Sequence, residues 1–166
     1  GRPRYAVVST GIGAMEQLFT LRKRIDAQQA GTRMGLAAYG YFVREKVLPI
    51  TISATRPHIV KSVDADPYSS KKDEIQYFRA VTDTKKDSHG EPLPFEFRLF
   101  PPDPLPTMTL KLDSTQFVVY SAGPDDKREL ALVCTQGREG VTGDYLFWPP
   151  ELAMIRQRMV ETGQLK

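Results

Sequence analysis

Two patterns of apolar positions divide the chain, a helical one in the first third and an alternating one in the remainder. Residues 13–46 contain no proline and are rich in residues that lose little conformational freedom in a helix. Apolar residues recur there at spacings of three and four, in two stripes: Met15, Leu18, Leu21 and Ile25, then Leu36, Tyr39 and Val43. This pattern predicts an N-terminal helix over residues 13–46.

The centre of this predicted helix is its weakest part, because Gln28, Gln29 and Gly31 separate the two stripes. A glycine inside a helix costs only about 1 kcal/mol relative to alanine. One long helix is therefore favoured, and a helical hairpin is the alternative. At 1.5 Å per residue an unbroken helix would be roughly 50 Å long, so we expect part of it to protrude or to pack on a neighbouring molecule.

After a connecting segment over residues 47–73, the apolar period changes from helical to twofold. Apolar residues alternate with mostly polar ones in five places: Ile75/Tyr77, Phe95/Phe97/Leu99, Met108/Leu110/Leu112, Phe117/Val119 and Leu130/Leu132/Cys134. Alternation of this kind is typical of strands with one buried face, and the short links between them favour an antiparallel meander. Residues 74–148 are therefore predicted to form four or five antiparallel strands.

The segment after Trp148-Pro149-Pro150 predicts a C-terminal helix over residues 151–163, with proline at its start and Gly163 at its end. The predicted fold is α+β: a long N-terminal α-helix packed on a 4–5 stranded antiparallel β-sheet, with a C-terminal helix, in a single domain over residues 1–166.

Charge is distributed unevenly along the chain. Residues 1–62 carry ten Lys and Arg residues against Glu16, Asp26 and Glu45, which gives +7, and the remainder carries 13 against 17, which gives −4. A basic first third and a mildly acidic remainder are compatible with binding to nucleic acid, binding to an anionic membrane surface, or head-to-tail packing of subunits.

The sequence contains few residues of the kinds that enzymes use as nucleophiles or metal ligands. Its one cysteine, Cys134, lies in an alternating apolar run and is predicted to be a buried thiol. The two histidines, His58 and His89, lie in predicted loops or turns without metal-ligand spacing. We therefore expect no catalysis.

Carboxylates cluster after the predicted strand that contains Phe117, at Asp125, Asp126 and Glu129, with Asp144 following. Calcium takes six to eight oxygen ligands, which loops supply through Asp side chains and backbone carbonyls. Asp125, Asp126 and Asp144 are thus candidate ligands for one Ca²⁺ ion, and solvated turn carboxylates are the alternative.

Two stretches resemble the pilin-like pseudopilins of type II secretion. Pseudopilins often follow the long helix with a proline-marked segment and an Asp-Pro-aromatic turn, which Leu48-Pro49 and Asp66-Pro67-Tyr68-Ser69 match. Their late strand often ends in a Tyr-Ser-x-Gly-x-Asp turn, which Tyr120-Ser121-Ala122-Gly123-Pro124-Asp125 matches, and Gly143-Asp144-Tyr145-Leu146 follows.

The resemblance implies a structural subunit of a short filament, without catalysis, on the periplasmic face of the bacterial inner membrane. It also implies other pseudopilin subunits and secretion-system components as partners, and an apolar helix half, absent from this sequence, that anchors the subunit in the membrane. In this family the late acidic loop often binds calcium, although Lys127-Arg128 interrupts that loop here. The predicted terminal helix points to a minor or divergent member.

Two other functions remain open from the sequence. The first is a binding module whose basic N-terminal helix engages nucleic acid or an anionic membrane surface, which steep salt dependence would reveal. The second is a small hydrolase that uses the carboxylate clusters, the one described above and a second one before the predicted sheet, at Asp64, Asp66 and Asp73.

Overall fold

A computed structural model of the chain describes residues 3–79, 88, 95–101, 105–112, 116–127, 130–135 and 141–165, with side chains described from residue 13 onwards. Within these residues the elements follow in chain order: α1 (Pro3–Glu45), a short 3-10 helix (Ile52–Thr55), β1 (Gln76–Arg79), β2 (Phe95–Phe100), β3 (Met108–Leu112), β4 (Phe117–Ser121), β5 (Val133–Thr135), β6 (Tyr145–Trp148) and α2 (Glu151–Glu161).

The N-terminal helix is continuous through Gly31, so the prediction of one long helix is confirmed and the hairpin alternative is wrong. It spans 43 residues, or about 65 Å at 1.5 Å per residue. It ends where Lys46 adopts a left-handed backbone (φ 60°) and donates its backbone N–H to the carbonyl of Phe42. Among the described residues, no helix combines the length and the apolar character needed to cross a membrane.

The strands form two three-stranded sheets within the described residues, so the prediction of one 4–5 stranded antiparallel sheet is wrong. The first sheet has the order β1-β4-β6 and is antiparallel throughout. The second has the order β3-β2-β5, in which β2 pairs with β3 antiparallel and with β5 parallel. The predicted meander is also wrong, because β1 pairs with β4 rather than with the next strand along the chain.

The predicted strand with Leu130, Leu132 and Cys134 is shorter than expected. Leu130 and Ala131 both have positive φ angles, which exclude an extended backbone. The strand begins only at Val133, and Leu130 and Leu132 are exposed. Cys134 is fully buried, as predicted, and its thiol donates to the carbonyl of Ala131 at 3.3 Å.

Strand β4 lies at the centre of the molecule and is buried along its whole length. Phe117 and Val119 pack with Met34 and Ala38 of α1, in the core on one face of the first sheet. Val118 and Tyr120 point to the opposite core. This core also contains Leu146 of β6, and it includes Phe97 and Leu99 of the second sheet and Met154 and Ile155 of α2. The C-terminal helix is confirmed and ends before Gly163, which has a φ of +72°.

Candidate functional site

The face of α1 that packs on the first sheet consists mainly of small residues. Its buried or half-buried members are Ala27, Ala30, Gly31, Met34, Gly35, Ala37 and Ala38. A side chain at Gly31 would overlap the ring of Phe147, and a Cβ at Gly35 would lie 3.0 Å from Cε3 of Trp148. The two glycines therefore let the helix backbone approach the aromatic rings of β6 closely.

Several of the larger apolar side chains of α1 lie on its opposite face, although one of them, Tyr39, also has its ring centre 5.9 Å from that of Trp148. At about 100° per residue, six of them form one line along the helix, which we call the outward stripe: Leu18, Leu21, Ile25, Leu36, Tyr39 and Val43. Their exposed fractions run from 45% at Ile25 to 65% at Leu18. The polar residues Gln28, Gln29 and Thr32 divide the stripe into two exposed apolar patches. Exposed apolar patches are candidate interaction sites.

The side chains that the structure describes at the N-terminal end of α1 do not pack on the body until Lys23. Every described residue from Ala14 to Lys23 is exposed, which matches the expectation that part of the helix protrudes. Residues 14–22 correspond to about 14 Å of helix at 1.5 Å per residue. The outward stripe thus continues from the protruding half onto the half that packs on the sheet.

The two stretches that resemble pseudopilins meet in the structure, at a buried carboxylate. Asp66 Oδ1 accepts hydrogen bonds from the Tyr68 backbone N–H at 2.9 Å and from the Ser121 hydroxyl at 2.7 Å. Asp66 Oδ2 accepts from the Ala122 backbone N–H at 3.0 Å. Nearby, the exposed Asp126 carboxylate accepts from the backbone N–H of Ser70 at 3.2 Å. The Asp-Pro-Tyr turn and the turn after β4 are therefore joined, and we call this the Asp66 joint.

The basic residues of α1 hold the helix beside the Asp66 joint. Lys23 Nζ lies 4.8 Å from the centre of the Tyr68 ring, and the Arg24 guanidinium lies 5.9 Å from that of Tyr145. The two tyrosines pack edge to face at 5.2 Å. Burial, with the neighbouring Tyr145, raises the pKa of the Tyr68 hydroxyl well above its usual range. A cation above an aromatic face is stabilising by about 0.5–2 kcal/mol.

Two further arginines of α1 contact carboxylates of this chain. Arg33 forms a two-pronged ion pair with Asp64, and Arg22 lies 3.9 Å from Asp26 one turn along the helix. The basic residues on which a nucleic-acid interface would depend thus have intramolecular contacts, and they do not line one face of α1.

The three candidate calcium ligands occupy different environments. Asp125 accepts from the Lys127 backbone N–H at 3.2 Å. Hydrogen bonding from Ser70 holds the pKa of the Asp126 carboxyl below its usual range. Asp144 is fully buried, and its Oδ2 accepts from the Ala131 backbone N–H at 2.7 Å.

No group of three or more His, Cys, Asp or Glu residues suited to a metal ion occurs in the described part of the chain. Of the histidines, His58 is exposed and His89 lies outside the described residues. The calcium site stays a prediction. Its test is thermal unfolding with chelator and then with millimolar calcium, since an ion bound only by the folded state raises the unfolding midpoint.

Glu151 lies beside a cleft of about 320 Å³ between α1, β6 and the start of α2. Its Oε1 atom is buried without a hydrogen-bond partner among the described residues. Burial raises the pKa of the Glu151 carboxyl to about 7, against a smaller opposing effect of Arg24. Glu151 therefore changes protonation near neutral pH.

Sequence reasoning found the residues of the outward stripe, but not that they face away from the sheet. It missed Asp66 as an anchor, although the Asp-Pro-Tyr and Tyr-Ser-x-Gly motifs that Asp66 joins were both recognised. The chain matches no protein-family model, no curated protein and no solved structure.

Proposed function

We propose that this chain is a non-catalytic structural subunit of a pseudopilus-like filament in bacterial protein secretion, assembling on the periplasmic face of the inner membrane. Its partners would be other pseudopilin-like subunits and secretion-system components. The observation that carries the proposal is the outward stripe: six half-exposed large apolar side chains on one face of α1, of which only Tyr39 has a described ring contact with the body, at Trp148.

The free energy gained by burying the outward stripe is enough for a weak contact between two subunits, and several such contacts would be stable together. Full burial of a Leu, Ile or Val side chain contributes roughly 1.5–3 kcal/mol, and the stripe residues still expose about half of their surface. Six of them would contribute roughly 5 kcal/mol on contact, at about 25 cal/mol per Å² of apolar area. Association costs about 4–15 kcal/mol in lost motion, so several such contacts per subunit are needed for lasting assembly.

The Asp66 joint gives the proposal independent support. It brings together the two motifs on which the resemblance rests, through hydrogen bonds that span 55 and 56 residues of chain. These hydrogen bonds join two turns of the body, and the contact of Lys23 with the Tyr68 ring places α1 beside them. A filament subunit needs a fixed placement of its body on its helix if the helix is to set its position among its neighbours.

The experiment compares two substitutions at equally exposed apolar positions. Leu18 lies on the outward stripe and Phe19 lies off it, and each exposes 65% of its surface. We expect Leu18→Asp to weaken self-association of the purified chain in analytical ultracentrifugation, and Phe19→Asp to leave it near the wild-type level. Thermal unfolding should show that both variants fold like the wild type, because neither side chain is buried.

Two results would overturn the proposal. The first is a wild-type chain that stays monomeric, and forms no filaments under the electron microscope, at every concentration up to its solubility limit. The second is an equal loss of assembly in the Leu18→Asp and Phe19→Asp variants. Tight, steeply salt-dependent binding of the monomer to nucleic acid or to anionic vesicles would instead favour the binding-module alternative.

A further inference from the structure

The cleft of about 320 Å³ between α1, β6 and the first turn of α2 has walls of two kinds, and we call it the Glu151 cleft. Apolar surface comes from Phe147 and Trp148, and polar groups come from Gln28, Thr32 and Glu151. Ligand pockets in proteins commonly measure about 300–1,000 Å³ and combine apolar walls with a few polar groups. The Glu151 cleft is at the small end of that range, so its volume suits one side chain of a partner better than a large ligand.

The carboxyl group of Glu151 keeps an unused hydrogen-bonding capacity in this cleft. Its Oε1 atom is buried, and no described residue donates a hydrogen bond to it. Buried polar atoms in folded proteins nearly always have a hydrogen-bond partner. Burial also raises the pKa of this carboxyl to about 7, because the ionised form is poorly solvated there. A hydrogen-bond donor that enters the cleft would therefore bind at Glu151, and a positively charged donor would bind most strongly.

We propose that the Glu151 cleft binds the side chain of a lysine from a partner protein, with its ammonium group at Glu151 and its methylene chain along Phe147 and Trp148. Lysine side chains commonly bury the methylene chain against apolar surface while the charged end makes polar contacts. The inference goes beyond the proposed function, because no residue of the outward stripe lines this cleft.

The polar groups of the cleft match the three donors of an ammonium group. Glu151 Oε1 accepts one of them. Gln28 and Thr32 lie one turn apart on α1, and their side-chain oxygens are acceptors for the other two. A guanidinium group fits less well, because it is planar and prefers two parallel hydrogen bonds to both oxygens of a carboxylate. Glu151 offers a single buried oxygen without a partner, which suits the compact charge of an ammonium group.

Arg24 is the other charged residue among the described residues that line the cleft, and β6 contributes none to this lining. The Arg24 guanidinium lies 5.9 Å from the centre of the Tyr145 ring. It lowers the pKa of the Glu151 carboxyl by less than burial raises it. Arg24 therefore does not fully compensate the ionised carboxylate, and an ammonium group in contact with Glu151 supplies the remaining positive charge.

Fluorescence of the full chain tests the inference, because Trp148 is its single tryptophan and lines the cleft. The probe is Nα-acetyl-lysine N-methylamide, titrated at pH 8, where Glu151 is ionised. The norleucine counterpart is the matched control compound, since it has the same methylene chain with a methyl group in place of the ammonium. We expect a saturable change with the lysine probe, and at least about tenfold weaker binding of the norleucine and arginine counterparts.

Two variants locate the binding site of the probe. Glu151→Gln keeps the size of the side chain and removes its charge, so it should weaken binding of the lysine probe at least about tenfold. Glu161→Gln is the matched control, because Glu161 is an exposed carboxylate of the same helix that does not line the cleft. It should bind the lysine probe like the wild type, and circular dichroism should show that both variants fold.

Each other outcome overturns the inference. No saturable change up to the solubility limit of the lysine probe means that the cleft does not bind this side chain. Equal affinity for the norleucine counterpart means that the cleft binds apolar chains regardless of charge, and tighter binding of the arginine counterpart means a guanidinium site. Unchanged affinity in Glu151→Gln means that the ammonium group binds elsewhere. None of these results bears on the outward stripe, so the proposed function is tested separately by the Leu18→Asp and Phe19→Asp variants.

Discussion

The Asp66 joint should contribute strongly to the free energy of unfolding, and substitutions of Asp66 measure that contribution. The carboxylate is buried and accepts three hydrogen bonds, from the Tyr68 N–H, the Ser121 hydroxyl and the Ala122 N–H. Asp66→Ala would leave all three donors without this acceptor. Asp66→Asn would keep one acceptor oxygen but direct an amide N–H₂ group at another donor.

The expected magnitude follows from the cost of losing these acceptors. A hydrogen bond to a charged group contributes roughly 1.5–3 kcal/mol, and such contributions do not add fully when one group makes all of them. We expect Asp66→Ala to lower the free energy of unfolding by about 3–4 kcal/mol, and Asp66→Asn by about 2 kcal/mol. For a chain of this size, 3 kcal/mol corresponds to a fall of about 6–12 °C in the unfolding midpoint.

Urea and thermal unfolding, monitored by circular dichroism, provide the assay. Asp26→Asn is the matched control, because Asp26 is exposed and its ion pair with Arg22 is a surface contact worth at most about 0.5 kcal/mol. If Asp66→Ala stays within about 0.5 kcal/mol of the wild type, the joint does not hold the two turns together and the structural reasoning is refuted.

Two further predictions concern the packing of α1 and the charge of Glu151. Gly31→Ala should destabilise the protein by about 1–3 kcal/mol, because a methyl group there overlaps the Phe147 ring. Gly40→Ala should instead stabilise the protein by up to about 1 kcal/mol, because its Cβ would lie at an ordinary contact distance of 3.6 Å from Ile59 Cγ2. Urea unfolding of both variants measures the two changes in the free energy of unfolding. Changes of the same sign would contradict this prediction. The Glu151 carboxyl has a pKa of about 7 in the folded state, above its ordinary 4.5, so the folded state binds more protons and stability falls as pH rises from about 4.5 to 7. Glu151→Gln should remove this fall. The variant should be more stable than the wild type at pH 8 by on the order of 1 kcal/mol, a value reduced for solvent screening, and should show no gain near pH 4. Unfolding at several pH values tests this prediction, and a difference in stability that does not depend on pH would refute it.

The sequence allowed the long helix to be predicted, but not which of its faces is buried. Ala, Leu, Gln and Arg give residues 13–46 a strong helical preference, and no proline interrupts it. Periodicity, however, gives most weight to large apolar residues, so Leu18 and Val43 marked the stripes while Ala27 and Gly31 did not. The close approach at Gly31 depends on Phe147, which lies more than 100 residues later in the chain.

The existence of strands was predictable, but their pairing was not. Alternation found β2 and β3 because each has a buried face that repeats every second residue, whereas β4, which was also predicted, is buried on both faces. It carries no information on which strand lies beside which, and so it missed that β2 pairs in parallel with β5. It also extended the last predicted strand through Leu130, because the left-handed backbone there depends on the surrounding structure.

The candidate site was predictable only in parts. Asp125, Asp126 and Asp144 were predicted as candidate calcium ligands because carboxylates cluster in this part of the sequence. Asp66 was assigned to a cluster with Asp64 and Asp73 and to a turn beside Pro67, since neither pattern indicates hydrogen-bond partners 55 residues away. Hydrogen bonds between two such distant turns can be recognised only from the three-dimensional structure.

We expect the inner face of α1 to contribute mainly to the stability of the fold and the outward stripe to contribute mainly to association between copies. Small residues on the inner face allow a close contact with Phe147 and Trp148, and this contact leaves the larger apolar side chains on the other side of the helix. Substitutions on the inner face should therefore change the unfolding midpoint. Substitutions on the outward stripe, apart from Tyr39 with its contact to Trp148, should change association and not the midpoint. A monomer whose midpoint fell on Leu18→Asp or Ile25→Asp would mean that the stripe packs on the chain's own body, which would remove the basis for assembly through this face.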